Sequence, residues 1–143
     1  MISFIIPYAS KGDNLYNWGD TDYSFITFTT ILAIKNINKI FSSRDIEIIL
    51  VDNTNTFPKI KIPNLKIVKG LQYKKQFTEK EISEYNITEV TNHTMWASIA
   101  YNIGIEHSVG EYVILQHNDI FYHQDLLSEL IDILKTNEYV SVD

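Results

Sequence analysis

The residues with the most capacity for chemistry stand just past short apolar runs. Tyr8 and Ser10 follow the run at residues 2–7, Asp52 and Asn53 follow the run at 46–51, and His117, Asn118 and Asp119 follow the run at 111–116. Such side chains donate and accept hydrogen bonds to a polar ligand. A strand-terminal aspartate such as Asp52 equally suits a helix cap or a turn. His117, Asp119 and His123 have the types for a small metal cluster, although histidines on a surface loop are more often simply solvated. Tyr16 and Trp18, inside the stretch at 8–22, could close over a flat ligand or pack on each other.

Several chemistries are excluded by what is missing. The chain contains no G-x-G-x-x-G, no G-x-x-x-x-G-K-[ST] and no G-x-S-x-G, which argues against a dinucleotide fold, a P-loop nucleotidase and a serine hydrolase. A phospho-receiver domain would carry an acidic pair after its first strand, where this chain has Pro7-Tyr8-Ala9-Ser10. Cysteine is absent, so disulfides, thiolate metal sites and cysteine nucleophiles are all ruled out. Twelve Lys and Arg against 18 Asp and Glu give a net charge of −6, and Arg44 is the sole arginine. That balance disfavours nucleic acid as a partner and leaves little supply for Arg-fork recognition of phosphate.

The elements that must position these residues follow from periodicity. With 143 residues, 45% of them hydrophobic, the chain suits a single domain over residues 1–143. The runs at 2–7, 46–51, 65–68 and 111–116 read as buried strands, and 139–142 as the start of a fifth. Helical spacing marks 23–41, 92–107 and the segment from Leu126 to Leu134, with partial helix over 78–85. Residues 8–22 read as a long loop, the turn Ile62-Pro63-Asn64 precedes the third strand, Trp96 is expected in the core, and Lys74-Lys75 on a solvated face. Strands alternating with helices imply an α/β fold with a mainly parallel sheet. Ligands of such sheets bind beyond the carboxyl ends of the strands, where the polar residues above converge. No run approaches the ~20 apolar residues of a membrane span, and the N-terminus lacks the basic region of a signal peptide; a cytoplasmic location is expected.

Four segments in order resemble the nucleotide-sugar half of the family 2 glycosyltransferases. Ser3-Phe4-Ile5-Ile6-Pro7 is similar to the family's opening strand, and residues 45–54 resemble its E-I-I-V-V-D-D-x-S segment. Ala100-Tyr101-Asn102-Ile103-Gly104-Ile105 followed by Gly110-Glu111-Tyr112-Val113-Ile114-Leu115 is similar to A-R-N-x-G-I … G-E-Y-I-x-F-L, and His117-Asn118-Asp119 falls at the place of D-x-D. The resemblance implies a GT-A fold, a Rossmann-like three-layer α/β/α sandwich. It also implies binding of a nucleotide-diphosphate sugar, UDP- or GDP-linked, with Mn2+ or Mg2+, for transfer to an unknown acceptor. The implied nucleotide-binding residues are Pro7, Tyr8, Ser10, Asp52, Asn53, Asn102 and Asn118: Asp52 would accept a hydrogen bond from the base, Tyr8 would lie beside it, and Asn118 would reach the ribose. Asp119 would hold the metal, with His117 beside it.

Three positions depart from the family pattern. His117 replaces the first carboxylate of D-x-D, which weakens hard-metal binding or moves it towards a softer ion. Tyr101 replaces the Arg before Asn102, and Tyr8 stands one residue early relative to the family's usual aromatic. No residue takes the role of catalytic base by motif. The family's second half, with acceptor contacts and base, would begin about where the chain ends. The alternative expectations are therefore a fragment, a minimal protein completed by a partner chain, or a non-catalytic nucleotide or sugar-nucleotide binding module. Exposed apolar surface or a homo-oligomer is expected near the C-terminus.

Overall fold

A computed structural model describes residues 1–10, 15–18, 21–70, 79–84 and 89–136. Its centre is a four-stranded sheet in the order β5-β4-β1-β6, formed by β1 (Ile2–Tyr8), β4 (Ile46–Asp52), β5 (Leu65–Lys69) and β6 (Tyr112–Leu115), with every pairing parallel. The remaining described elements are the strands β2 (Leu15–Trp18) and β3 (Thr21–Ser24) and the helices α1 (Phe25–Ile40), α2 (Glu79–Glu84), α3 (Glu89–His107) and α4 (Gln124–Thr136).

Side-chain alternation along the strands builds two cores. Phe4, Ile6, Tyr8, Ile48 and Leu50 point to one face and meet Ile31, Ile34, Ile37 and Phe41 of α1 and its C-cap, together with Leu130 of α4. Ile5, Ile49, Val51 and Val68 point to the other face and meet Ala100, Tyr101 and Ile103 of α3. Because β1 and β4 are buried on both faces, their sequences are almost continuously apolar rather than alternating. The result is the expected three-layer α/β/α arrangement.

α1 is rich in β-branched residues, which are mediocre helix formers. Its buried stripe and its caps compensate: the Ser24 hydroxyl accepts the Thr27 N–H at 3.1 Å, and the Phe41 N–H bonds Ile37 O at 2.9 Å. The helix therefore begins at Phe25, two residues later than the spacing alone implies, since Ser24 is its N-cap. α3 begins at Glu89, three residues earlier than expected.

The loop expected over 8–22 needs correction. Leu15–Trp18 and Thr21–Ser24 pair antiparallel, with Tyr16 opposite Tyr23 and Trp18 opposite Thr21. Aromatic and β-branched residues flanking Gly19-Asp20 carry a hairpin signal that outweighs the local Gly, Asp and Asn content. The side chains of Tyr16, Trp18 and Trp96, the pair Lys74-Lys75 and the strand expected at 139–142 lie outside the described residues. Among the described residues no helix is long and apolar enough to cross a membrane.

Candidate functional site

The parallel sheet brings the carboxyl ends of its strands to one edge. Tyr8 is level with Asp52, while Ile5 is level with Leu115 and accepts the Gln116 N–H at 3.1 Å. β1 thus has the end of β4 on one side and the end of β6 on the other. After β1 the chain leaves towards β4, and β6 returns on the opposite side, so this edge is a topological switch point of the kind where open α/β sheets bind ligands. Asp52 and Asp119 share it.

On the β4 side the residues are buried and mutually hydrogen-bonded. Asp52, only 5% exposed, takes the Thr54 N–H on Oδ1 at 3.0 Å and the Phe57 N–H on Oδ2 at 2.9 Å. It is thereby the organiser of the turn that follows β4, in which Asn55 adopts a left-handed φ of 54°. The Tyr8 ring lies in the core at 1% exposure, edge-on to Phe57 at 5.1 Å, with its hydroxyl hydrogen-bonded to Thr27 Oγ1 at 2.6 Å. Ser10 Oγ meets the N-cap Ser24 Oγ at 2.7 Å, and the Ser10 N–H donates to Thr54 Oγ1 at 3.0 Å. Thr56 Oγ1 donates to Ser10 O at 3.1 Å. A hydroxyl network therefore joins the start of α1, the end of β1 and the loop after β4. Pro7 is half-buried beside it. Asn53 donates its backbone N–H to Tyr8 O at 2.9 Å, and its side-chain Oδ1 is buried without a hydrogen-bond partner. That oxygen lies over Gly70, where a Cβ would come within 2.0 Å of it; only glycine leaves it room.

On the β6 side the side chains divide between the two faces. Gln116 is buried and accepts the Tyr122 hydroxyl at 2.7 Å. Asn118 donates its amide to Thr30 Oγ1 on α1 at 3.1 Å. The backbone of Tyr122 is in turn clasped by Asn36 of α1, at 2.7 Å for its N–H and 3.1 Å for its carbonyl. His117 is exposed, and its ring meets Tyr101 of α3 edge-on at a centroid distance of 6.5 Å. Burial raises the hydroxyl pKa of both Tyr101 and Tyr122, so both stay neutral, Tyr122 as the donor to Gln116. Asp119 is exposed. Among the described residues no group of three or more metal-ligating side chains forms, so the cluster of His117, Asp119 and His123 is not assembled.

Asn102 is exposed on α3, two residues from both Ala100 and Gly104, which face the sheet, so its side chain is not the one packed at the helix–sheet junction. Its neighbour Gly104 does the packing, since a Cβ there would meet Ile5 Cγ2 at 2.2 Å. Gly110 likewise fits against Ser3, donating its N–H to Ser3 Oγ at 2.8 Å. Residue types alone did not single out Ser24, Thr27, Thr30, Thr54 or Thr56. Local signals exist for Ser24, as an N-cap ahead of an apolar-periodic segment, and for Thr54, two residues after Asp52 as in an Asx turn.

A family model for glycosyl transferase family 2 matches residues 66–143, more than half of the chain. Searches of curated proteins and of solved structures returned no match. The matched span contains the Ala100–Ile105 and Gly110–Leu115 motifs and the His117-Asn118-Asp119 triplet, while the sheet pairs that span directly with β1 and β4. The parallel α/β fold is consistent with that match, which supports a glycosyltransferase-like function: the chain belongs to glycosyl transferase family 2.

Proposed function

We propose that the carboxyl edge of the sheet binds a UDP- or GDP-sugar together with Mg2+ or Mn2+, as the donor half of sugar transfer to an acceptor. The observation that carries this reading is the placement of Asp52 and the His117-Asn118-Asp119 triplet on either side of the β1 end in a family 2 chain. The base sits over the turn that Asp52 organises, with Asp52 as its acceptor and the Pro7–Tyr8 backbone alongside. Asn118 faces the ribose, and Ser10 and Asn53 support the turn from below. Asp119 and His117 hold the metal. Two side-chain ligands suffice, because Mg2+-type sites commonly use one or two carboxylates plus substrate phosphates and water. In a chain with 12 Lys and Arg against 18 acids, such an ion supplies the positive charge that steadies the leaving diphosphate.

Thermal unfolding tests the reading. A ligand at 100 times its Kd stabilises a fold by about 2.7 kcal/mol, which for a domain of this size is on the order of 10 °C in Tm. UDP or GDP with Mn2+ is expected to raise the Tm of the wild-type chain, and Asp119→Asn to lose the metal-dependent part of that rise. No shift with either nucleotide, with or without metal, overturns the proposal. Release of free sugar from the donor then separates turnover from binding alone.

A further inference from the structure

Two threonine hydroxyls in the turn after β4 have more acceptors in reach than protons to give. Thr54 Oγ1 lies 3.3 Å from Asp52 Oδ1 and 2.7 Å from Thr56 Oγ1. Thr56 Oγ1 in turn lies 3.1 Å from Ser10 O and 3.5 Å from the Tyr8 hydroxyl. Each hydroxyl carries one proton and two lone pairs. The Ser10 N–H, at 3.0 Å, occupies one lone pair of Thr54 throughout and so holds that oxygen between the ends of β1 and β4. Two arrangements of the two protons then satisfy the contacts. In the first, Thr54 donates to Asp52 Oδ1 and Thr56 donates to Thr54. In the second, Thr56 donates to Ser10 O and Thr54 to Thr56, while Oδ1 keeps the Thr54 N–H at 3.0 Å without the hydroxyl. The first has the charged acceptor and the second the shorter bond, 3.1 Å in place of 3.3 Å, so a ligand can tip one into the other.

We infer, resting on the base site proposed above, that Thr54 and Thr56 are positioning residues that make Asp52 selective for a base with a ring N–H. Thr54 donates to Asp52 while the edge is empty. When a base N–H comes to Oδ1, the Thr54 hydroxyl turns to Thr56, and the Thr56 hydroxyl turns to Ser10 O. No proton leaves its oxygen; only the two hydroxyl rotors move. Thr56 makes the turn possible, because it accepts the proton that Thr54 withdraws from the carboxylate. The imide of uracil and the N1–H of guanine fit this device. Cytosine and adenine present a bare ring nitrogen at the same place, and its lone pair would face the carboxylate.

The test is the Kd of UDP and of GDP with Mn2+, each beside its analogue methylated on the ring nitrogen (N3 of uracil, N1 of guanine), measured by calorimetry on wild type, Thr56→Val and Thr56→Ser. Wild type should prefer the unmethylated nucleotide. Thr56→Val keeps the size of the side chain but strands the Thr54 proton on Asp52. It should weaken the preferred nucleotide by about five- to tenfold and leave its methylated analogue within about twofold of wild type. Thr56→Ser restores the hydroxyl and should restore the affinity. Thr56 is exposed, so the ligand-free Tm of both variants should stay near that of wild type. Unchanged affinity in Thr56→Val, an equal loss for methylated and unmethylated nucleotides, or no rescue by serine overturns the inference while the donor site stands. A wild type that binds both forms equally removes Asp52 from base recognition and this inference with it. Absence of binding by every nucleotide overturns the donor site and the inference together.

Discussion

At the end of β4 the Asp52 carboxylate holds two backbone N–H groups, one on each oxygen, and so closes the turn that carries residues 53–57. Removing it leaves the amides of Thr54 and Phe57 without their acceptor. For buried groups that costs about 1–3 kcal/mol. Asp52→Ala should therefore lower the urea midpoint at unchanged m-value, and should weaken UDP or GDP binding while leaving its dependence on metal intact. A variant with wild-type stability would show that water replaces the carboxylate, and unchanged affinity would remove Asp52 from base recognition. The position of Asp52 was readable from the sequence because a strand must end before it. Its partners were half readable: Thr54 is a near neighbour, as an Asx turn requires. The pairs Tyr8–Thr27, Ser10–Ser24 and Ser10–Thr54 join separate elements and exist only once the sheet is assembled. Tyr8 shows the same limit, since nothing local says that its ring enters the core rather than the ligand edge.

Between α3 and the sheet the spacing is set by a missing side chain. Gly104 lets the helix approach until a Cβ would sit 2.2 Å from Ile5 Cγ2. Gly104→Ala should destabilise by about 1–3 kcal/mol through overpacking, despite the better helix propensity of alanine. In an Ile5→Ala background the new methyl would fill part of the cavity instead of clashing. The double-mutant cycle should then show a coupling above about 0.5 kcal/mol, and additive losses would contradict the contact. Elements of this sort were the most legible part of the chain. The central strands and the two helices of strong periodicity were placed by pattern, because long apolar repeats leave few alternatives. The hairpin of β2 and β3 was not, because its turn residues resemble those of any loop. The glycines of the Gly104 and Gly110 motifs could be quoted from the sequence, but the reason for them, close approach to Ile5 and to Ser3, needed the packed sheet.

Seen as one charged body, the protein carries −6 and its proposed donor is itself an anion. Long-range electrostatics then oppose encounter, the reverse of the usual steering of a ligand to its site. Metal-free UDP should accordingly bind better as monovalent salt rises from about 10 to about 200 mM, since the Debye length falls from about 30 to below about 10 Å. Added Mn2+ should flatten that slope, and a fall in affinity with salt would mean that local cations dominate the edge. At the opposite end of the sheet, Glu47 of β4 accepts the Ser3 hydroxyl of β1 and the Val109 N–H ahead of β6, at 2.7 Å for the latter, and so ties three segments together. Burial pushes its pKa up, but the bonds from Ser3, Val109 and Gly110 and the charge of Lys66 outweigh that and hold it below the ordinary 4.5. A carboxyl depressed in the folded state adds stability at pH values above its unfolded pKa, and loses that contribution as the pH falls through the folded value. Glu47→Gln should therefore have a lower Tm than wild type at neutral pH, and the gap between the two should shrink as the pH drops from about 5 towards 3. Calorimetric scans across that range check the prediction, and a gap that stays constant with pH would assign the role of Glu47 to its packing instead of its charge.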